Sequence, residues 1–342
     1  MLTEVMRHYG LTRELGSAGY FETEHHRQLC REVGAAILAG RLVAITGMVG
    51  NGKTALLRHL QADLARENKV LVSKSLTVDQ ERTTVATLID ALFYDLSQES
   101  EIRIPKQGEK RERELRSLIR RRRKPVALFV DEAHNLHPKT LIGLKRLLEV
   151  IADGGGRLSV VLAGHPKLRN DLRRPTMEEI GYRTSLFSFD GIAGQQGEYI
   201  TWLLKTCAEG TEAGDLVAEA AIELLVARLR TPLQIERHLT LAFEEGFRIG
   251  EKPITPEVVE AVLSRQLDEL EPRLTRHGYS VHTLSEQFNA KPAEIKRLLR
   301  GELDPARTRE LVDEMRAAGA TGNSAIVSKL PTRSSTIRKV QH

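Results

Sequence analysis

The chain has 342 residues, enough for about two domains with sizeable cores, and 41% of them are hydrophobic, which excludes a disordered chain. Its formal net charge is +5, from 51 basic and 46 acidic residues, and aromatics are few: one Trp, six Tyr and eight Phe. Cys30 and Cys207 lie far apart without disulfide or metal-ligand spacing, the start MLTEVMRHYG has no signal-peptide core, and no stretch reaches the ~18 apolar residues of a membrane helix, so a cytoplasmic protein without membrane contact is expected.

Residues 22–39 carry a helical pattern, with Leu29, Val33, Ile37 and Leu38 on one side and Gly40 as a stop signal. The apolar run 42–46 reads as a buried strand, and residues 55–67 as a helix beyond an intervening glycine-rich loop. A second strand at 70–72 and a helix over 78–96 follow. The segment 103–124 holds eleven Lys/Arg, and its core RERELRSLIRRRRK reads as a basic helix, either a solvated face or another candidate for a DNA path. Residues 125–130 form a third strand ending in Asp131-Glu132, then come a helix at 138–152 and a fourth strand at 158–163 ending at Gly164-His165. Strands separated by helices imply an α/β fold, a parallel sheet covered on both faces, with ligands bound at the carboxyl ends of the strands. The polar motifs fall at those ends.

From Gln195 onward helices take over, at about 195–209, 215–229, 232–249 and 255–270. Thr231-Pro232 and Thr255-Pro256 place threonine at an N-cap and proline at the first helical position. A small helical module is expected at 273–319. The predicted domains are therefore an α/β domain with an N-terminal helical segment (1–194), a helical lid (195–270), a C-terminal module (271–319) and a flexible basic tail (320–342).

Charge divides along the same boundary. Residues 271–342 hold thirteen of the basic but only eight of the acidic residues, so the whole excess lies in the C-terminal fifth. A basic module points to an acidic partner, with nucleic acid the first candidate, and a solvated surface is the bland alternative. Residues 281–288, the turn Asn289-Ala290-Lys291-Pro292 and residues 293–300 resemble a helix-turn-helix, which would offer Lys291, Lys296, Arg297 and Arg300 to phosphates or base edges. Protein docking is the other use of such a hairpin.

Gly47-Met48-Val49-Gly50-Asn51-Gly52-Lys53-Thr54 fills every fixed position of G-x-x-x-x-G-K-[ST], between a strand and a helix. Such a loop, continuing to Ala55, closes backbone N–H groups around phosphates, sends Lys53 to the outer phosphates and places the Thr54 hydroxyl on Mg²⁺. At the end of the third strand, Asp131 suits the magnesium shell and Glu132 an attacking water, so hydrolysis of the bound nucleotide is expected rather than binding alone. Trp202, Leu203 and Leu204 read as lid core, and Glu24, His25 and His26 as caps or surface rather than a metal set.

These motifs together resemble the AAA+ ATPases. The segment VLAGHPKL and the compact size are similar to the branch that contains the transposition regulators (MuB, TnsC, TniB and IstB proteins) and the secretion ATPase ExeA. The resemblance covers roughly residues 15–265. It implies the roles above for Lys53, Thr54, Asp131 and Glu132, with His165 as the polar sensor of the γ-phosphate, Tyr20-Phe21 near adenine, and an arginine supplied by the neighbouring subunit. Arg183 best matches that arginine, with Arg173 and Arg174 as fallbacks. The lid departs from the pattern, since Thr231-Pro232-Leu233-Gln234 carries leucine where relatives often have arginine; Arg237 could substitute. Lys74 and Arg82 are candidates for a central DNA channel or a solvated loop. The implied function is an ATP-dependent regulator of DNA transposition that oligomerises on double-stranded DNA as a ring or helical filament, recruits or activates a transposase and disassembles on hydrolysis. The alternatives are an ExeA-like secretion ATPase and a nucleotide-switched helix-turn-helix transcription regulator.

Overall fold

The computed structural model describes residues 1–75, 83–97, 104–208, 210–263, 279–299 and 303–318. The chain divides into two compact units, Met1–Leu267 and Asp268–His342. In the first, five strands, β1 (Leu42–Thr46), β2 (Leu71–Lys74), β3 (Val126–Val130), β4 (Leu158–Gly164) and β5 (Thr184–Ser188), form one parallel sheet in the order β2-β3-β4-β1-β5. Every residue of β1, β3 and β4 is buried, because helices cover both faces of these central strands.

Side chains alternate between the two faces. Leu42 and Ala44, Val126, Leu128 and Val130, and Leu158, Val160 and Leu162 pack with helices α4 (Val85–Leu96), α5 (Gly108–Arg122) and α6 (Pro138–Asp153). Val43, Ile45, Ala127, Phe129, Val161 and Ala163 pack instead with α2 (Glu24–Leu38) and α3 (Lys53–Glu67). Of the basic α5 only Leu115 and Ile119 are buried; most of its charges are solvated, while Arg111 pairs with Asp90 at 3.1 Å and Arg122 donates to the Leu96 carbonyl.

Three readings of the sequence shift. β5 is a strand, paired with β1 at the sheet edge, where the sequence shows only the apolar stretch 186–189; its partly exposed Thr-Ser-Leu-Phe-Ser lacks the apolar run that marks β1. The helix expected at 215–229 is two pieces, Ala213–Leu216 and Glu219–Arg228. Val217 bridges Ile254, with Ala218 N–H donating to the Ile254 carbonyl and Ile254 N–H to that of Leu216, both at 2.9 Å, so an inter-segment pairing interrupts the turn. The N-terminal helix α1 (Thr3–Tyr9) packs in the lid core, not on the sheet: Tyr9 lies 4.7 Å from the Phe243 ring, and its hydroxyl donates to the Glu251 carbonyl at 2.7 Å.

The rest of that core comes from helices Gln196–Cys207, Glu219–Arg228, Pro232–Ile249 and Pro256–Leu263, and includes fully buried Leu203 and Leu204 with Trp202 against them. Thr231 caps the long lid helix in a reciprocal box with Gln234, with Pro232 at its first position. In the second unit, Val281–Gln287, Pro292–Leu299 and Pro305–Ala317 share a core of Leu284, Ile295, Leu298, Leu311 and Met315. The start of the expected 78–96 helix, the end of the last lid helix and the tail 320–342 fall outside the described residues. Among the described residues no helix is long and apolar enough to cross a membrane.

Candidate functional site

The loop between β1 and α3 turns through left-handed backbone at Gly50 (φ 83°) and Gly52 (φ 90°), conformations that side chains disfavour. A Cβ at Gly50 would also come within 2.8 Å of Leu233 and 2.9 Å of the Thr231 hydroxyl, so glycine lets the lid meet the loop. Leu233 N–H donates to the Gly50 carbonyl at 3.3 Å. Asn51 anchors the loop from below, its Nδ2 donating to the Phe189 carbonyl just past β5 at 2.9 Å.

Lys53, 5% exposed, opens α3 and directs its Nζ to the carbonyls of Gly47 and Met48, each at 2.9 Å. Burial pushes its pKa down, opposed by the carboxylates of Glu132 and Asp131. The next residue, Thr54, donates its hydroxyl to Asp131 Oδ2 at 2.6 Å, which joins the helix start to the end of β3. Asp131 Oδ1 accepts the Glu132 backbone N–H at 2.9 Å.

Glu132 itself has φ 51°, a left-handed conformation costing a non-glycine residue about 1–3 kcal/mol, and strain of this kind gathers at functional sites. Burial raises its pKa, the neighbouring Asp131 adds to the rise, and Lys53 opposes it. From the end of β4, His165 Nε2 comes to 3.7 Å from Glu132 Oε2. His134 Nδ1 reaches the same oxygen at 3.7 Å, and the two imidazoles stack with centroids 3.6 Å apart. Burial, then Lys167 and Lys53, push the His134 pKa down to about 4.

These groups border a cleft of about 310 Å³. Val49, Gly50, Gly52, Lys53, Thr54 and Ala55 form its floor, Glu132 and His165 one wall, and Pro232, Leu233 and Glu236 of the lid another, with Arg58 from α3 at its side. Lys53, Thr54, Asp131, Glu132 and His165, scattered over more than a hundred residues, therefore meet in one place. Hard oxygen donors, the Thr54 hydroxyl and Asp131 carboxylate, converge beside the lysine, a donor set that fits Mg²⁺.

Other candidates lie elsewhere. Arg183 is exposed and ion-pairs with Glu149, away from the cleft lining; Arg173 and Arg174 are also exposed, the latter paired with Asp171 at 2.9 Å. Arg237 is exposed and absent from the lining, and the lid contributes Glu236 there instead. Tyr20 stacks on His59 and hydrogen-bonds His26 Nδ1 at 3.1 Å, while Phe21 packs on Tyr199 and Trp202. His26 Nε2 meets the Gly191 carbonyl at 2.8 Å, which makes it structural. Lys74 is exposed at the end of β2, and Lys291, Lys296 and Arg297 are exposed in the second unit; Arg82 and Arg300 lie outside the described residues. The sequence reading missed Arg58, Glu236 and His134. Arg58 and Glu236 lie one helical turn beyond the loop motif and the lid proline, a spacing that could have shown them.

Glu236 yields a stability prediction. Its pKa is raised by burial, against the lowering effect of the Tyr199 hydroxyl, which donates to Oε1 at 2.6 Å. The folded state thus binds a proton that the unfolded chain has released, so stability falls as pH rises from the unfolded toward the folded pKa and the penalty persists above it. Glu236→Gln is expected to raise the melting temperature at about pH 7, with the gain fading toward about pH 3, below the ordinary carboxylate range. Thermal denaturation at both pH values checks this, and a gain independent of pH would contradict it.

Residues 38–172 match the AAA domain family. General secretion pathway protein A of Aeromonas hydrophila is 32% identical over 146 residues, which are 42% of this chain and 26% of that protein, so the chain matches only about a quarter of the relative's length. Among solved structures, Cdc6p from Pyrobaculum aerophilum aligns with TM-score 0.50 and 18% identity over 89% of this chain and 88% of that one. The ORC2 protein of Aeropyrum pernix aligns with TM-score 0.52 and 14% identity over 91% of each. With its five parallel strands, helices on both faces and phosphate-loop motif, the chain has the P-loop AAA+ fold, and residues 38–172 within it are similar to the AAA domain family.

Proposed function

We propose that the chain is a Mg²⁺-dependent ATPase that uses the nucleotide to assemble on duplex DNA. The observation that carries the enzymatic part is the convergence of Lys53, the Thr54–Asp131 pair and the strained, partly desolvated Glu132 on one cleft. Gly47 to Ala55 would wrap the phosphates and Lys53 would neutralise the outer ones. Thr54 and Asp131 would hold Mg²⁺, which supplies charge neutralisation on the phosphate oxygens. Glu132 would orient and deprotonate the attacking water, and His165 would sense the terminal phosphate. The ORC2 structure was solved in complexes with ADPNP and ADP, in keeping with a nucleotide cleft on this fold.

Exposed Lys291, Lys296 and Arg297 on the helical hairpin support the DNA part, with Lys74 and the basic α5 as further candidates. The finer reading is a transposition regulator that forms a homo-oligomer on DNA, with Arg183 of one subunit completing the site of the next, and that engages a transposase. Similarity to a general secretion pathway protein favours a second reading, a secretion ATPase. Duplex binding by the intact chain separates the two, and deleting residues 271–342 tests the hairpin's part in it. The truncated chain is expected to keep nucleotide binding and lose at least about tenfold in duplex affinity, with the intact chain showing a steep salt dependence. An anisotropy titration with duplex DNA measures this. Equal affinities would remove the hairpin from the DNA role, and an intact chain that binds no duplex would favour secretion.

A further inference from the structure

His134 is not used by the nucleotide chemistry above, yet it is 8% exposed and its Nδ1 has no hydrogen-bond partner. That nitrogen points toward Glu132 Oε2, 3.7 Å away, and His165 Nε2 approaches the same oxygen at the same distance. One ligand atom from each of the three residues lies within 4.8 Å of the others. Ligands at about 2.0–2.1 Å from a tetrahedral zinc ion stand roughly 3.4 Å apart, so small side-chain movements would close this set on a metal.

The backbone holds the group in place. Glu132 and His134 share the short turn after β3, and His165 follows β4, where Gly164 lets the two segments meet: a Cβ there would stand 3.0 Å from the His134 backbone nitrogen. The stack brings the two imidazoles side by side, and metal binding would tilt them apart so that their nitrogens converge. Two imidazole nitrogens and one carboxylate oxygen form a donor set for borderline transition metals, unlike the oxygen pair of Thr54 and Asp131, which suits Mg²⁺. Lys53 and Lys167 disfavour a cation there, and the adjacent carboxylates of Glu132 and Asp131 favour one.

We propose that Glu132, His134 and His165 form a three-ligand site for a transition-metal ion of the Zn²⁺ class, whose occupation withdraws the Glu132 carboxylate from water activation. The inhibitory consequence rests on the role given to Glu132 above; the binding site does not.

The test titrates Co²⁺ into the full chain with excess Mg²⁺, following visible absorption, since tetrahedral Co²⁺ absorbs far more strongly than octahedral Co²⁺ on oxygen ligands. The wild type is expected to take up one intensely absorbing Co²⁺ per chain, displaced by Zn²⁺. His134→Gln and His165→Gln are each expected to weaken it at least about tenfold, and the double variant to abolish it. Circular dichroism establishes that the variants are folded. Intense absorption that persists in the folded double variant, or is absent from the wild type, overturns the site. In parallel, Zn²⁺ at one equivalent is expected to lower ATP turnover at least tenfold while ATP still binds. Tight Co²⁺ binding in a chain without ATP turnover would leave the metal site standing and count against the ATPase reading. Turnover indifferent to bound Zn²⁺ would overturn the inhibitory role.

Discussion

Replacing Glu132 with glutamine is expected to lower ATP turnover by about 10²- to 10⁴-fold, the usual contribution of a positioned general base, while leaving nucleotide affinity within a fewfold of wild type. The separation follows from the geometry. Glu132 lies on the cleft wall, whereas the phosphate loop, Lys53 and Thr54 form the floor, with Asp131 hydrogen-bonded to Thr54. Glutamine keeps the size and a hydrogen-bonding oxygen but accepts no proton. Phosphate release and equilibrium binding of a fluorescent nucleotide, measured on one preparation, check both halves. Loss of binding in step with turnover would move Glu132 from the chemistry to the fold.

Lys53→Ala is expected to act at the earlier step, weakening ATP binding by about 10- to 100-fold, as hydrogen bonds to charged groups contribute about 1.5–3 kcal/mol. Lys53 is buried against two loop carbonyls. Burial pushes its pKa down, and the carboxylates of Glu132 and Asp131 oppose that shift. Removing it relieves that burial, so the melting temperature without nucleotide should not fall in step with affinity. Lys53→Arg is not expected to rescue binding, because a planar fork does not replace a compact ammonium in this space. Isothermal titration with ATP reads the affinity, and unchanged binding in Lys53→Ala would place the phosphates elsewhere.

Much of this site was legible because its motifs are local. The fixed positions of residues 47–54 encode a loop and a helix start in eight consecutive residues, and the run 125–130 followed by Asp131-Glu132 encodes a strand whose last side chains meet a ligand. The central strands β1, β3 and β4 were readable for the same reason, being largely apolar runs buried on both faces. Edge strands carry a weaker signal. β5 mixes threonine and serine with its apolar residues, and only its pairing with β1 makes it a strand.

Contacts distant in sequence were hidden. Nothing near His134 announces that it will stack on His165, thirty-one positions later, because the meeting depends on β3 and β4 lying side by side. The break at Val217 likewise depends on Ile254, and the placement of α1 in the lid depends on the aromatic contact between Tyr9 and Phe243. The lid's contribution of Glu236 in place of an arginine follows from how the capped helix at Pro232 meets Gly50, a fact of packing rather than of motif.

Phosphate release from ATP by the full chain, with and without Mg²⁺ and duplex DNA, tests the central claim most directly. The account predicts turnover that requires Mg²⁺ and rises with DNA to a plateau. A chain that releases no phosphate under any of these conditions would contradict it.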